Sequence, residues 1–193
     1  MVPFGPTPRR IVRSMLELAR VTPRDLLYDL GAGDGRILAI ASEEFGARAH
    51  GIELNPIRYR NIQQRWVRPS GRISAEQTSF YTAPLGMADV VTLYLTPAAN
   101  QRIAAKLSTE LRPGARVICH EYPLPKWRPA TTQVVYEGTE AHYLYLYRVG
   151  VNACSQRAQA LAVRNVRYSS SSYGVGVGHW GSNDTNMGPA TTT

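Results

Sequence analysis

The feature that most constrains this chain is a short apolar strand, Leu26–Leu30, that runs directly into closely spaced glycines at positions 31, 33 and 35. Glycine allows tight turns and close approach of the backbone to a ligand, because it carries no Cβ. A helical pattern begins at Arg36. This strand–turn–helix order predicts a nucleotide-binding corner at the carboxyl edge of an open α/β sheet.

The charges around the turn narrow the choice of nucleotide. A dinucleotide fingerprint requires a small residue where Arg36 stands, and no Gly-Lys-Ser/Thr follows to make a P-loop. Asp29 disfavours a pyrophosphate but suits a ligand that carries an ammonium and a sulfonium. The segment therefore predicts S-adenosylmethionine as cofactor. The predicted contacts from this segment are Asp29, Gly31, Ala32, Gly33, Asp34 and Gly35.

A second acidic residue follows at a characteristic distance. Residues 49–54 read as a strand that ends with Glu53 and Leu54, and Glu53 comes 24 residues after Asp29. An acid at about this spacing accepts hydrogen bonds from ribose hydroxyls. Glu53 could alternatively be an ordinary surface carboxylate, but its order after the glycine turn favours the site. We therefore predict that Glu53 and Leu54 contact the cofactor, and that Asn55 caps the following helix, with Pro56 at its first position.

Over residues 3–150 the chain resembles the class I, seven-β-strand methyltransferases that use S-adenosylmethionine. The resemblance is greatest to the small prokaryotic and archaeal protein-lysine methyltransferases, through Pro6-Thr7-Pro8, Leu27-Tyr28-Asp29-Leu30-Gly31 and the apolar segment 90–95. It implies a Rossmann-like α/β fold: a doubly wound, mostly parallel seven-stranded sheet with helices on both faces and a terminal antiparallel hairpin.

The resemblance also implies where the methyl acceptor binds. The segment after the fourth strand, 94–97, lacks the Asn/Asp-Pro-Pro-Tyr/Phe element of many enzymes that methylate base amines. In the lysine methyltransferases the equivalent stretch forms a narrow apolar channel. By this resemblance Tyr94 contacts the cofactor and orients the amine, while Thr96 and Pro97 shape the channel. His120 and Glu121 are candidates for a proton acceptor or a substrate anchor, or alternatively a polar lining.

The expected chemistry is transfer of a methyl group from sulfonium to a nitrogen lone pair. A free lysine with a pKa of about 10.4 is neutral roughly once in 2,500 molecules at pH 7, a deficit of about 4.6 kcal/mol. An apolar channel beside a cationic sulfonium disfavours the ammonium form and reduces that deficit. A strong general base is therefore not required, and positioning supplies most of the catalysis.

Two further segments complete the predicted cofactor site. The family carries Gly-Asp or Gly-Asn before an aromatic residue after the third strand, whereas this chain has Thr78-Ser79-Phe80. Ser79 can still hydrogen-bond the adenine and Phe80 can pack against it. Near the amino terminus, Thr7 is predicted to cap a helix that starts at Pro8. The resemblance implies that this segment covers the cofactor; core packing is the alternative.

The remaining elements alternate as a parallel sheet requires. Helices are predicted at 36–45, 56–66 and 98–111, strands at 72–77, 89–95 and 115–120, and a hairpin from 133–137 and 142–149. Right-handed crossovers then place the glycine turn in the middle of the sheet.

The chain of 193 residues suits one domain, predicted at 1–150. Residues 151–193 are rich in Ser, Gly and Thr and read as a flexible tail, with a weak helix at 155–166. No apolar run approaches 18 residues, so no membrane span is expected. Cys119 and Cys154 form no metal pattern, so no metal site is predicted. We expect a reduced, cytoplasmic compartment and a monomer.

The net charge of +8 comes almost entirely from arginine. An arginine cluster on and after the second crossover helix favours nucleic acid, an acidic protein or simply a solvated helix face. The leading hypothesis is a protein-lysine N-methyltransferase, with nucleic acid a less favoured acceptor. A small-molecule N- or O-methyltransferase and a non-catalytic S-adenosylmethionine-binding protein are the alternatives. The cluster consists of Arg58, Arg60, Arg65, Arg68 and Arg72.

Overall fold

The structure is a computed structural model that describes residues 5–69 and 71–150. The predicted tail, 151–193, and its weak helix lie outside the described residues. The four helices of the described part are α1 (Arg9–Leu18), α2 (Arg36–Glu43), α3 (Pro56–Arg65) and α4 (Pro97–Glu110). The seven strands are β1 (Leu26–Leu30), β2 (Arg48–Ile52), β3 (Ile73–Glu76), β4 (Val90–Leu93), β5 (Arg116–His120), β6 (Thr131–Glu137) and β7 (Glu140–Arg148).

All seven strands form one sheet in the order β3-β2-β1-β4-β5-β7-β6. The first five strands are parallel, and β7 inserts antiparallel between β5 and β6. The predicted fold class is confirmed, including the terminal hairpin. The strand order reverses between β1 and β4, where ligands bind in open α/β sheets.

Alternating side chains of the strands build a separate core on each face of the sheet. On one face, α1, α2 and α3 cover inward residues such as Leu27 of β1 and Val90 of β4. On the other, α4 packs with Leu30 and Val91, which follow at the opposite strand positions. Burial on both faces explains why β1 and β4 are almost continuously apolar. None of the helices in residues 5–69 and 71–150 is long and apolar enough to cross a membrane.

The amino-terminal helix differs from the prediction at its first turn. It begins at Arg9, and Pro8 occupies the cap position without a side-chain hydrogen bond. The Thr7 hydroxyl does not cap the helix; it lies 3.1 Å from Nδ1 of the buried His120, at the end of β5. A long-range polar contact thus replaces the expected local one, and it fixes the segment before α1 against the sheet.

Candidate active site

A cleft of about 720 Å³ opens at the carboxyl ends of β1, β2 and β4. The segment before α1 borders it, which agrees with the predicted cover. Two sides can be distinguished. The glycine-turn side comprises Asp29, residues 31–34 and Glu53, and the Tyr94 side comprises Thr7 and residues 94–96. Of the predicted site residues, the lining includes Thr7, Asp29, Gly31, Ala32, Gly33, Asp34, Glu53, Leu54, Ser79, Phe80, Tyr94 and Thr96.

The glycine turn depends on left-handed backbone conformations. Gly31 has φ +84° and Gly33 φ +59°, in the region that favours glycine. The N–H groups of Gly31 and Ala32 both donate to the carbonyl of Ile52, at 2.8 and 3.1 Å. The turn is therefore held against the end of β2, and its inner surface faces the cleft.

Gly35 was predicted to contact the cofactor, but the structure places it outside the cleft lining. It has φ +78° and caps α2. A Cβ at this position would lie 2.7 Å from Cδ1 of Trp66. Its role is therefore to let the chain turn into α2 while Trp66 packs beneath it, and Trp66 Nε1 donates to the Asp34 carbonyl at 2.8 Å.

Glu53 connects the two loops of the glycine-turn side. Its Oε2 accepts the N–H of Gly33 at 2.8 Å, and its Oε1 accepts the N–H of Asn55 at 2.8 Å. Glu53 is buried, yet it lines the cleft. Each carboxylate oxygen keeps a further lone pair. The same group can therefore fix the turn and accept hydrogen bonds from a ligand's hydroxyls.

Asp29 is the second buried carboxylate in the cleft wall. Burial raises the pKa of Asp29 to about 7, while a hydrogen bond from Thr92 acts in the opposite direction, and the charges of Glu53 and Asp34 add to the rise. The Thr92 hydroxyl donates to Asp29 Oδ1 at 2.7 Å. Two carboxylates in a largely enclosed wall create a negative potential that favours a cation.

The main hydrogen-bond partner of the Asp34 carboxylate is Arg36, two residues later in the chain. The guanidinium donates to both Asp34 oxygens, with Nη2 2.6 Å from Oδ2, and Nη1 donates to the Thr7 carbonyl at 3.0 Å. Partial burial acts to raise the pKa of Asp34, but the hydrogen bonds from Arg36 outweigh it and lower that pKa. Arg36 thus joins the glycine turn to the segment before α1.

The Tyr94 side is aromatic and apolar. Burial raises the pKa of Tyr94, and the nearby Glu121 and Tyr122 add to the effect, so the phenol keeps its proton. An added Cβ on Gly5 would lie 3.7 Å from the Tyr94 ring, which shows how closely the two segments pack. In the described residues that line the cleft, the carboxylates are Asp29, Asp34 and Glu53, all of which belong to the glycine-turn side.

Thr96 and Pro97 start helix α4. The Thr96 hydroxyl accepts the N–H of Ala99 at 3.3 Å, and Pro97 is the first helical residue. Thr96 lines the cleft, whereas Pro97 lies outside the lining. The sequence predicts that Pro97 shapes the channel, whereas in the structure Pro97 fixes the start of α4.

His120 and Glu121 also lie outside the cleft lining. The His120 ring packs 4.2 Å from the Tyr94 ring and is only 1% exposed. Burial, together with His142, lowers the pKa of His120 to about 4. Because Tyr94 and Thr7 separate it from the cleft, His120 supports these two residues instead of accepting a proton from the substrate.

Tyr81 and Arg102 are among the lining residues that the sequence did not predict for the site. Tyr81 follows Phe80 with ring centroids 4.5 Å apart, and the Arg102 guanidinium lies 4.2 Å above the Tyr81 ring. Tyr81 directly follows the predicted Ser79-Phe80 segment, so its place in the lining could have been predicted from the sequence. Arg102 comes from α4, and no local signal connects it with the loop after β3.

The comparisons with known proteins agree with this geometry. The family model described as ANTKMT methyltransferase domain matches residues 29–131. A protein-lysine N-methyltransferase of Saccharolobus islandicus is 40% identical over 77% of this chain and 94% of the relative. The adenine nucleotide translocase lysine N-methyltransferase of Mus musculus is 34% identical over 75% of this chain and 62% of the relative.

A solved structure shares the fold. The RNA methyltransferase from Salinibacter ruber, in complex with S-adenosyl-L-homocysteine, superposes with a TM-score of 0.70 and is 35% identical, covering 77% of this chain and 95% of that one. Sequence and structure therefore lead to one family. The chain belongs to the S-adenosylmethionine-dependent methyltransferases of the ANTKMT domain family.

Proposed function

We propose that this protein binds S-adenosylmethionine in the cleft and transfers its methyl group to a lysine side chain of a protein substrate. The observation that carries the proposal is the asymmetry of the cleft: its carboxylates lie on the glycine-turn side, and its aromatic and apolar surface lies on the Tyr94 side. A cationic methyl donor suits the first side. An alkyl amine that must lose its proton suits the second.

The residues present fit the donor. Asp29 supplies charge for an ammonium, and the free lone pairs of Glu53 suit ribose hydroxyls. Leu54, which is 64% exposed, and Phe80 both line the cleft, so their apolar side chains suit contact with an adenine ring. When bound, S-adenosylmethionine supplies the methyl group from its sulfonium.

The Tyr94 side handles the acceptor through desolvation and orientation. The Tyr94 side, as defined above, contributes no carboxylate to the described lining, so the proposed transfer does not use an acidic side chain there. The apolar wall and the neighbouring cationic donor disfavour the ammonium form, so the proton leaves to water before transfer. Tyr94 then holds the neutral amine in line with the methyl group.

Nucleic acid is the second candidate acceptor, since a 35% identical neighbour bears the name RNA methyltransferase. Two arginines of the cluster at α3 are engaged locally, which weakens that reading. Arg68 donates to the carbonyls of Gln64, Arg65 and Val67, and Arg65 lies 4.8 Å from the Trp66 ring centre. A protein acceptor agrees better with the names of the curated relatives.

Incubation with methyl-labelled S-adenosylmethionine separates these candidates. The purified chain is offered, in separate reactions, a lysine-rich protein extract, the same extract with its lysines acetylated, and total RNA. We expect label only in the unblocked extract, on lysine Nζ by mass spectrometry. Label in RNA, or equal label in the blocked extract, contradicts the lysine proposal. An Asp29→Ala, Glu53→Ala chain serves as the inactive control.

A further inference from the structure

We propose that His120, Glu121 and His142 form a binding site for a divalent first-row transition-metal ion, on the face of the sheet behind Tyr94. None of the three residues lines the cleft, so the site is separate from it, although the His120 ring packs against Tyr94. The sequence contains no pattern for it, because His142 lies 22 positions beyond His120 on another strand.

The sheet brings the two histidines together. His120 is the last residue of β5 and pairs with Leu144 of β7. His142 lies two positions before Leu144 and therefore projects from the same face, as the diagonal neighbour of His120. Their ring centroids are 5.1 Å apart, and the residues are 1% and 5% exposed. Two buried imidazoles thus face one another.

Glu121 completes the group through an unusual backbone conformation. In a regular strand its side chain would point to the face opposite His120. Its φ of +64° instead turns the carboxylate back toward the histidines. A non-glycine residue in this region costs about 1–2 kcal/mol and marks functional sites more often than packing. Oε1 then lies 3.0 Å from His120 Nε2 and 2.9 Å from His142 Nδ1.

The three candidate ligand atoms form a nearly equilateral triangle. Its third side, His120 Nε2 to His142 Nδ1, also measures 3.0 Å. Without a metal, Glu121 Oε1 can accept an N–H from each imidazole. A cation placed above the triangle replaces these hydrogen bonds, and the two imidazole nitrogens and the carboxylate oxygen then act as its ligands.

The ligand set and its dimensions indicate the kind of ion. Metal–nitrogen bonds of about 2.1 Å that meet at right angles place ligand atoms roughly 3.0 Å apart. Two imidazoles and one carboxylate on one face favour zinc, iron(II), cobalt(II) or nickel(II) and leave further positions open. Thr7 Oγ1, 3.1 Å from His120 Nδ1, occupies the outer position that orients a metal-bound imidazole.

Cobalt(II) titration of the full-length, untagged chain tests the proposal. After treatment with a chelator and dialysis, we expect visible absorption bands that saturate at one equivalent, with a Kd below about 10 µM, and that zinc displaces. Glu121→Gln and His142→Gln are expected to weaken binding at least about tenfold. His50→Gln is the matched control, because His50 lies on β2 and bonds to Ser74, outside the cluster.

Two outcomes would overturn the site: no cobalt bands up to about 1 mM metal, or identical titrations for the wild type and the cluster variants. Circular dichroism of each variant shows whether the sheet is intact. If the His142→Gln variant does not fold, the titration of Glu121→Gln alone tests the site, because Glu121 is partly exposed and its replacement removes no packing from the core. The absorption bands report the metal directly, so failure of methyl transfer would not affect this result.

Discussion

The two sides of the cleft are built in different ways. On the glycine-turn side, backbone N–H groups bond to one carboxylate: Asn55 donates to Glu53 from two positions away, and Gly33 donates to it from 20 positions away. On the Tyr94 side, the contacts join distant parts of the chain, and Thr7 meets His120 across 113 positions. The glycine-turn side thus depends on a motif that is visible in the sequence, whereas the Tyr94 side depends on contacts that only the tertiary fold brings together.

The largest expected effect is at Glu53. Glu53→Ala removes the acceptor of one buried and one partly buried N–H group, so the free energy of unfolding should fall by about 2–3 kcal/mol. Affinity for S-adenosylmethionine should fall at least about 100-fold, since the ribose contact and the turn are lost together. Denaturant unfolding and calorimetry measure the two effects. Glu43→Ala, an exposed carboxylate on α2, is the control, and equal behaviour of both variants would refute the role of Glu53.

Tyr94 tests the opposite side. Tyr94→Ala should lower kcat about 100-fold, because the amine loses its orienting wall, and should weaken donor binding less than Glu53→Ala does, since Tyr94 is only one of several predicted cofactor contacts. Tyr94→Phe keeps the ring against Gly5 and His120 and should lose about tenfold or less. Steady-state kinetics with both substrates separate kcat from KM. If the Ala variant instead loses donor binding and keeps kcat, the division between the two sides is wrong.

Arg36 joins the two sides, so its replacement sharpens the comparison. Arg36→Met removes the pair with Asp34 and the bond to the Thr7 carbonyl. Because the pair is partly exposed, the unfolding free energy should fall by only about 1 kcal/mol. The acceptor KM should rise about fivefold as the Thr7 segment loosens. Arg36→Lys keeps the positive charge but loses the two-pronged guanidinium contact, so its acceptor KM should lie between those of the wild type and Arg36→Met. An unchanged acceptor KM would show that the segment does not depend on Arg36.

The same contrast explains what the sequence could predict. The geometry at Gly31, Gly33, Asp29 and Glu53 depends on φ angles and on the neighbouring backbone. The corner that we propose for the methyl donor could therefore be predicted from the sequence. The alternation of strands and helices predicted a parallel sheet with the glycine turn at its middle, and the family resemblance implied the seven-stranded fold with its terminal hairpin. These predictions concern interactions within short segments or regular crossovers.

Other features depend on pairing that the sequence does not reveal. The turn of Glu121 toward His142 requires the register of β7 against β5, and Thr7 leaves its predicted cap position because His120 offers a buried partner. Pro97 and Gly35 were assigned to the site by position, but each serves the start of a helix. A position close to the predicted site in sequence does not show whether a residue contacts the ligand or only shapes the backbone.

The most direct test of the central claim is calorimetric titration of S-adenosylmethionine at pH 7 in two buffers that differ in ionisation enthalpy. With a pKa of about 7, Asp29 is about half protonated in the free protein, and a cationic ligand drives that proton off. We predict one site, release of about half a proton, and affinity that falls up to about tenfold per pH unit below 7; Asp29→Asn should abolish both effects. No binding, or binding without proton release that Asp29→Asn leaves unchanged, would contradict the account.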